Sequence, residues 1–178
     1  MQNGEAAGVR AVIFDWGGTL TPWHAIDLVK QWQIFAEHYA RDHADDFPDT
    51  GAELATTMLL AEREAWGRLA VDGTSARLAE VLEASGVSED HPGYPGAQAA
   101  YEEFWEPHTY IDPQVPEVLA GLRERGLRVG VLSNTLWSRD YHERVFERDG
   151  VLGLIDGAVY SSETVSYTHL TLPTICSV

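Results

Sequence analysis

An aspartate at the end of a short apolar run is the first position here with the makings of chemistry. Val12-Ile13-Phe14 runs into Asp15, and Trp16-Gly17-Gly18-Thr19 follows. A continuous apolar run that stops at a glycine-rich turn predicts a buried parallel strand whose carboxyl end opens onto a loop. In open α/β sheets ligands bind along that edge. A carboxylate there can serve as nucleophile or metal ligand, while backbone amides freed by two glycines hold an anion. The bland alternative is an Asp that starts an ordinary turn.

A second polar strand end lies far downstream. Leu127 to Leu132 is a Val-containing run closed by Ser133-Asn134-Thr135. Before it, Val115, Val118, Leu119 and Leu122 form a helical stripe over 115–125, with Gly126 as its C-cap. After it, Trp137 to Asp149 reads as another helix closed by Gly150, and Ala158-Val159-Tyr160 as a third strand ending in Ser161-Ser162. Strand, helix, strand, helix, strand with polar strand ends predicts a parallel, helix-covered sheet.

Between Pro22 and His108 the periodicity changes to helical. Leu28, Trp32, Phe35 and Tyr39 make one stripe, and Leu54, Met58 and Ala61 a second. Leu78, Val81 and Leu82 make a third, with Thr74 as N-cap and Gly86 as C-cap. Tyr101, Phe104 and Trp105 make a fourth, ended by Pro107. The breaker-rich stretches Asp45 to Gly51 and His91 to Gly96 read as loops. Such stripes predict the packed interior of a small helical bundle rather than a cofactor site.

Composition narrows the function class. The 178 residues carry 12 Lys plus Arg against 28 Asp plus Glu, a formal net charge of −16. That balance disfavours nucleic acid and anionic membrane as partners, since both need a cationic face. Residues 22–108 hold 17 acidic and 5 basic groups, net −12, so most of the acidity sits in the helical stretch. Its acidic cluster at Asp42, Asp45, Asp46 and Asp49 lacks EF-hand spacing and reads as a solvated face. The lone Cys176 excludes an intramolecular disulfide or a multi-cysteine zinc site. No pair of histidines has the i, i+4 spacing of a helical zinc motif. Neither a nucleophile elbow nor a phosphate-binding glycine pattern occurs. No secretory h-region or membrane-length apolar run is present, so a cytoplasmic setting is expected.

The stretch Val12 to Leu20 resembles the first motif of the haloacid dehalogenase superfamily, and Val129 to Thr135 resembles its second. The helical stretch between them occupies the place of that family's cap. The resemblance, over roughly residues 9–164, implies a Rossmann-like parallel three-layer α/β core with an inserted all-helical cap. The core would comprise 1–21 and 109–164 and lack its last strands; the cap would comprise 22–108. It further implies that Asp15 is the nucleophile of a phosphomonoester hydrolase, forming an aspartyl-phosphate. Asp15 and the Gly17 carbonyl would hold Mg²⁺. Ser133 would hydrogen-bond the transferring phosphoryl oxygen, with Trp16, Gly17, Thr19 and Asn134 lining the substrate site. The partner would be a small phosphorylated molecule, chosen by the cap.

This sequence departs from the family pattern at three places. Family phosphatases usually carry a second Asp two residues after the nucleophile, as acid for the leaving group; here that residue is Gly17. His24 is the nearest stand-in. The family's third motif is a lysine after the third strand, whereas the only lysine here is Lys30, in the first helical stripe. The family's fourth motif is an acidic pair, yet no acidic residue follows Glu163 and no basic one follows Arg148. Residues 165–178 contain no charged side chain, and Ser166 to Thr174 resembles translated adapter sequence, a non-native tail. Without later strands, the first strand is expected to keep an unpaired apolar edge. The resemblance thus implies a hydrolase impaired in this chain, with two alternatives. One is a metal-independent dehalogenase, which also does without the second Asp; the other is a non-catalytic remnant or binding module. A phosphonate hydrolase fits poorly, because Lys30 comes too early.

Overall fold

A computed structural model describes residues 8–41, 49, 51–72 and 75–163. Three strands, β1 (Ala11–Phe14), β2 (Arg128–Ser133) and β3 (Gly157–Tyr160), form one sheet in the order β1-β2-β3. Both pairings are parallel, with Phe14 opposite Val131 and Ser133 opposite Tyr160. Between β1 and β2 the chain inserts α1 (Leu28–Ala40), α2 (Ala52–Asp72), α3 (Leu78–Ala84) and α4 (Tyr94–Trp105). Two further helices, α5 (Val115–Glu124) and α6 (Arg139–Arg148), connect the strands.

Period-two alternation decides which sheet face is covered. Val129, Val131, Ser133 and Tyr160 are buried, and Val129, Val131 and Tyr160 join Val115 and Leu119 of α5 and Val145 and Phe146 of α6 in a single core. On the opposite face Ile13 is 67% exposed and Val159 47%. Among the described residues, then, one face is layered with helices and the other is open, and β1 has a neighbour on one side only.

The insert follows its stripes. Asp27 caps α1 by accepting from the Val29 and Lys30 amides at 3.0 and 3.1 Å. Trp32, Phe35 and Tyr39 all point inward, with Trp32 fully buried and stacked on Tyr101 of α4. Two local expectations change. The residue at the N-cap of α3 is Arg77, with no side-chain cap bond; Thr74 lies outside the described residues. The stretch His91 to Gly96 is not all loop: α4 starts at Tyr94 with a proline in its first turn, where a missing N–H costs nothing. Within the loop Asp45 to Gly51, only Asp49 and Gly51 are described.

The insert is docked on the loop that follows β2. The Leu78 amide donates to the Leu136 carbonyl at 2.9 Å, and Trp137 Nε1 to the Tyr101 hydroxyl at 3.3 Å. Arg144 of α6 donates to both Glu102 oxygens at 3.1 Å. Its two connections to the sheet are themselves tied, since the Asp112 amide donates to the Leu20 carbonyl at 2.9 Å.

Candidate active site

Asp15 is the residue immediately after β1, and β2 ends at Ser133, so the register brings both to the carboxyl ends of adjacent parallel strands. Such neighbours run about 4.8 Å apart. Asp15 Oδ1 accepts from the Trp16 amide at 2.7 Å. Partial loss of water raises the Asp15 pKa above its ordinary value, and the Trp16 hydrogen bond partly offsets that rise.

The loop after Asp15 is wound around one carbonyl. Trp16 O accepts from the amides of Thr19, Leu20 and Thr21 at 3.3, 3.0 and 3.0 Å, and from the Thr21 hydroxyl at 3.2 Å. Gly18 makes the turn at φ +74°, a conformation few other residues adopt. Gly17 is different. A Cβ built there would meet nothing within 4 Å, and its φ is not positive. No packing requirement keeps a side chain off position 17.

Of the residues implied for substrate contact, Gly17, Thr19 and Asn134 are exposed at this sheet end, while Trp16 and Ser133 are buried at 6% and 3% exposure. Ser133 belongs to the helix-covered face, with Val129 and Val131. Thr19 contributes its amide to the loop, whereas the hydroxyl that braces it belongs to buried Thr21. Nothing in the sequence singled out Thr21; its only signal was a small polar residue after Leu20.

The sequence also gave no sign of the support behind Asn134. Ser161, just past β3, accepts from the Thr135 amide at 2.9 Å and donates to the Thr135 carbonyl at 3.1 Å. Ser162 donates to the Trp137 carbonyl at 2.6 Å. Thr135 Oγ1 accepts from the Trp137 amide and lies 3.1 Å from His142 Nε2. His142 is fully buried, stacked on Tyr160 at 4.4 Å and edge-on to Trp16 at 4.5 Å. One histidine therefore touches residues from all three strand ends. Burial drives its pKa down to about 3, and the Arg139 charge pushes the same way. It is a neutral packing and bridging group.

Beside this support lies a cavity of about 480 Å³ between the insert and α6, walled by Tyr94, Tyr101, Trp137, Arg139 and Ser162. Neither Asp15 nor Ser133 lines it. Arg139 is held there by Glu163 at 2.9 and 2.7 Å and by Glu143 at 3.2 Å.

For a hard cation, the donors that the resemblance implies are the Asp15 carboxylate and the Gly17 carbonyl, both just after β1. Among the described residues no group of three His, Cys, Asp or Glu side chains is arranged to hold a metal. Oxygen donors of this kind suit Mg²⁺, which commonly takes one or two carboxylates and fills its shell with water and substrate phosphate.

Residues 9–167 match the model of a hydrolase family described as haloacid dehalogenase-like hydrolase. Among solved structures, the L-2-haloacid dehalogenase of Xanthobacter autotrophicus is 19% identical, over 90% of this chain and 60% of that one, with a TM-score of 0.46. The 2-haloacid dehalogenase of Pseudomonas syringae pv. Tomato DC3000 is 18% identical, over 87% and 65%, with a TM-score of 0.49. A predicted phosphoglycolate phosphatase from Haemophilus somnus 129pt is 12% identical, over 88% and 64%, with a TM-score of 0.40. This chain spans about two thirds or less of the length of these structures. No curated protein sequence matches it. Among the described residues no helix is long and apolar enough to cross a membrane.

Proposed function

The chain belongs to the haloacid dehalogenase-like hydrolase family, and we propose that within it the chain is built for hydrolysis of a small phosphate monoester through Asp15. The observation that carries this reading is the position of Asp15 itself. It is an exposed carboxylate at a strand end, beside a loop whose amides are organised around the Trp16 carbonyl. In this reading residues 1–21 and 109–164 are the core, 22–108 the cap and 165–178 a non-native tail. The setting is cytoplasmic, and the partner is the small phosphorylated substrate without nucleic acid.

The Asp15 oxygen not bonded to the Trp16 amide attacks phosphorus, and the bond from phosphorus to the ester oxygen breaks. The leaving alkoxide takes its proton from water, because Gly17 offers none. General acid catalysis typically contributes about 10²–10⁴-fold, so this chain forgoes that factor. Water then attacks phosphorus and frees Asp15. Asp15 and the Gly17 carbonyl would hold Mg²⁺, which supplies charge neutralisation for the phosphate oxygens. Ser133 and Asn134 orient the phosphoryl group, and Thr19 and Trp16 hold the loop against it.

Gly17 fits a second reading no worse, displacement of halide from carbon by Asp15 without a metal, since that reaction does without a second Asp at this position. One assay separates them. Hydrolysis of p-nitrophenyl phosphate that requires Mg²⁺ and disappears in Asp15→Asn is the expected result. Release of chloride from 2-chloropropionate in EDTA would replace it with the dehalogenase. Neither activity, in a folded chain, would leave a non-catalytic remnant.

A further inference from the structure

Two histidines meet where the insert joins the sheet. His24 lies on the outgoing connection between β1 and α1, and His108 ends the 3₁₀ turn Glu106–His108 on the returning one. Their ring centroids are 5.2 Å apart with planes at 63°, and Tyr110 packs against His24 at 5.9 Å. Phe104 lies 5.8 Å and Trp105 6.4 Å from His108. His24 Nε2 and His108 Nδ1 are both shielded from solvent, and neither has a hydrogen-bond partner. A shielded ring nitrogen without a partner is costly, and two in contacting rings require a common explanation.

We propose that His24 and His108 form a two-histidine clamp for a borderline divalent cation, of the Ni²⁺, Cu²⁺ or Zn²⁺ class, across the junction of cap and core. The spacing fits. With a metal–nitrogen bond of about 2.1 Å, an imidazole centroid lies about 3.2 Å from the ion, and two such rings at the tetrahedral angle sit about 5.2 Å apart. The donors fit too, because imidazole nitrogens prefer these ions to Mg²⁺ or Ca²⁺. Among the described residues no third His, Cys, Asp or Glu completes the set, so the clamp rests on two protein ligands. Because one ligand sits on each connection, a bound ion ties the two connections together. The clamp is separate from the oxygen donors at Asp15 and does not depend on the reaction proposed for them.

The test uses the full 178-residue chain, titrated calorimetrically with NiCl₂, CuCl₂, ZnCl₂ and MgCl₂ while the unfolding midpoint is followed. Binding is expected to follow the order in which Cu²⁺ exceeds Ni²⁺ and Zn²⁺, each raising the midpoint, with no effect of Mg²⁺ traceable to these histidines. His24→Asn and His108→Asn should each weaken Ni²⁺ binding by at least the roughly 10-fold that loss of an outer-shell partner costs. His38→Asn and His91→Asn should leave it unchanged. Ni²⁺ affinity that survives both His24→Asn and His108→Asn overturns the clamp. If either variant fails to fold, electron paramagnetic resonance of the unsubstituted chain at one Cu²⁺ per chain decides. Coupling to two imidazole nitrogens supports the clamp, and coupling to one or none overturns it. A chain that passes these tests yet hydrolyses no phosphate ester would sink the Asp15 reading alone.

Discussion

Inside the helical insert, Glu62 is buried at 6% exposure and accepts from Gln31 Nε2 at 3.0 Å and from Trp32 Nε1 at 2.7 Å. Gln31 in turn accepts from Trp105 Nε1 at 3.0 Å. At the sheet end the corresponding trio is Trp16, His142 and Tyr160, whose rings touch, yet Trp16 Nε1, His142 Nδ1 and Tyr160 Oη have no partner. The insert also buries its aromatic stripes on every side its helices share, while one face of the sheet leaves Ile13 and Val159 in water. Around Trp32, therefore, the helices of the insert satisfy their buried polar groups. The sheet end keeps polar groups without partners and an exposed apolar face among the described residues, and it is also where the proposed chemistry lies.

The contrast can be broken at its strongest point first. Trp32→Ala removes a fully buried ring that stacks on Tyr101 and donates to Glu62, and it should cost about 3–5 kcal/mol in chemical denaturation. A loss below about 1 kcal/mol would mean the insert is no better packed than the sheet end. Acid should next attack the sheet end through His142. Its folded pKa of about 3 lies below the ordinary 6.5, so its contribution is complete above pH 6.5 and is lost as pH falls. The slope should reach about 1.4 kcal/mol per pH unit between those values. Glu62, raised by burial, has the opposite sign and favours folding toward acid. His142→Phe should flatten the acid limb of a stability–pH curve, and an unchanged limb would refute the assignment.

Glu62→Leu should cost roughly 2–3 kcal/mol, because it strands the Gln31 and Trp32 donors. Tyr160→Phe sharpens the other side: removing a hydroxyl without a partner should be neutral or stabilising by up to about 1 kcal/mol. Smallest of all, Ile13→Ser should change stability by no more than about 0.5 kcal/mol, as expected for an exposed position. A larger loss would show that something covers that face.

Elements with a strong period were readable from the residues: the α1 stripe, the Val-rich β2, and the strand that stops at Asp15. What periodicity could not reveal was where polar residues go. Gln31 and Glu62 sit among ordinary polar positions of helices, and only three-dimensional proximity to Trp32 and Trp105 makes them interior. Nothing local in the sequence marks His142 as a ring that docks on Tyr160 of β3. The start of α3 after Arg77 coincides with the Leu78 to Leu136 bond, a long-range contact that cap preference does not show. The α4 start at Tyr94 was hidden behind Pro95, a breaker inside a helix but a favourable residue in its first turn. For the site, Asp15 was legible as a strand-end acid, whereas the Thr21 brace and the Ser161 support depend on contacts across the loops.

The open space at Gly17 has a meaning for descent as well as for catalysis. Every glycine codon is one base change from an acidic residue, aspartate or glutamate according to its third position. Since a Cβ at this position meets nothing within 4 Å, such a change would pass without a packing penalty. A carboxylate at position 17 would therefore bear on the reaction rather than on the packing of the loop.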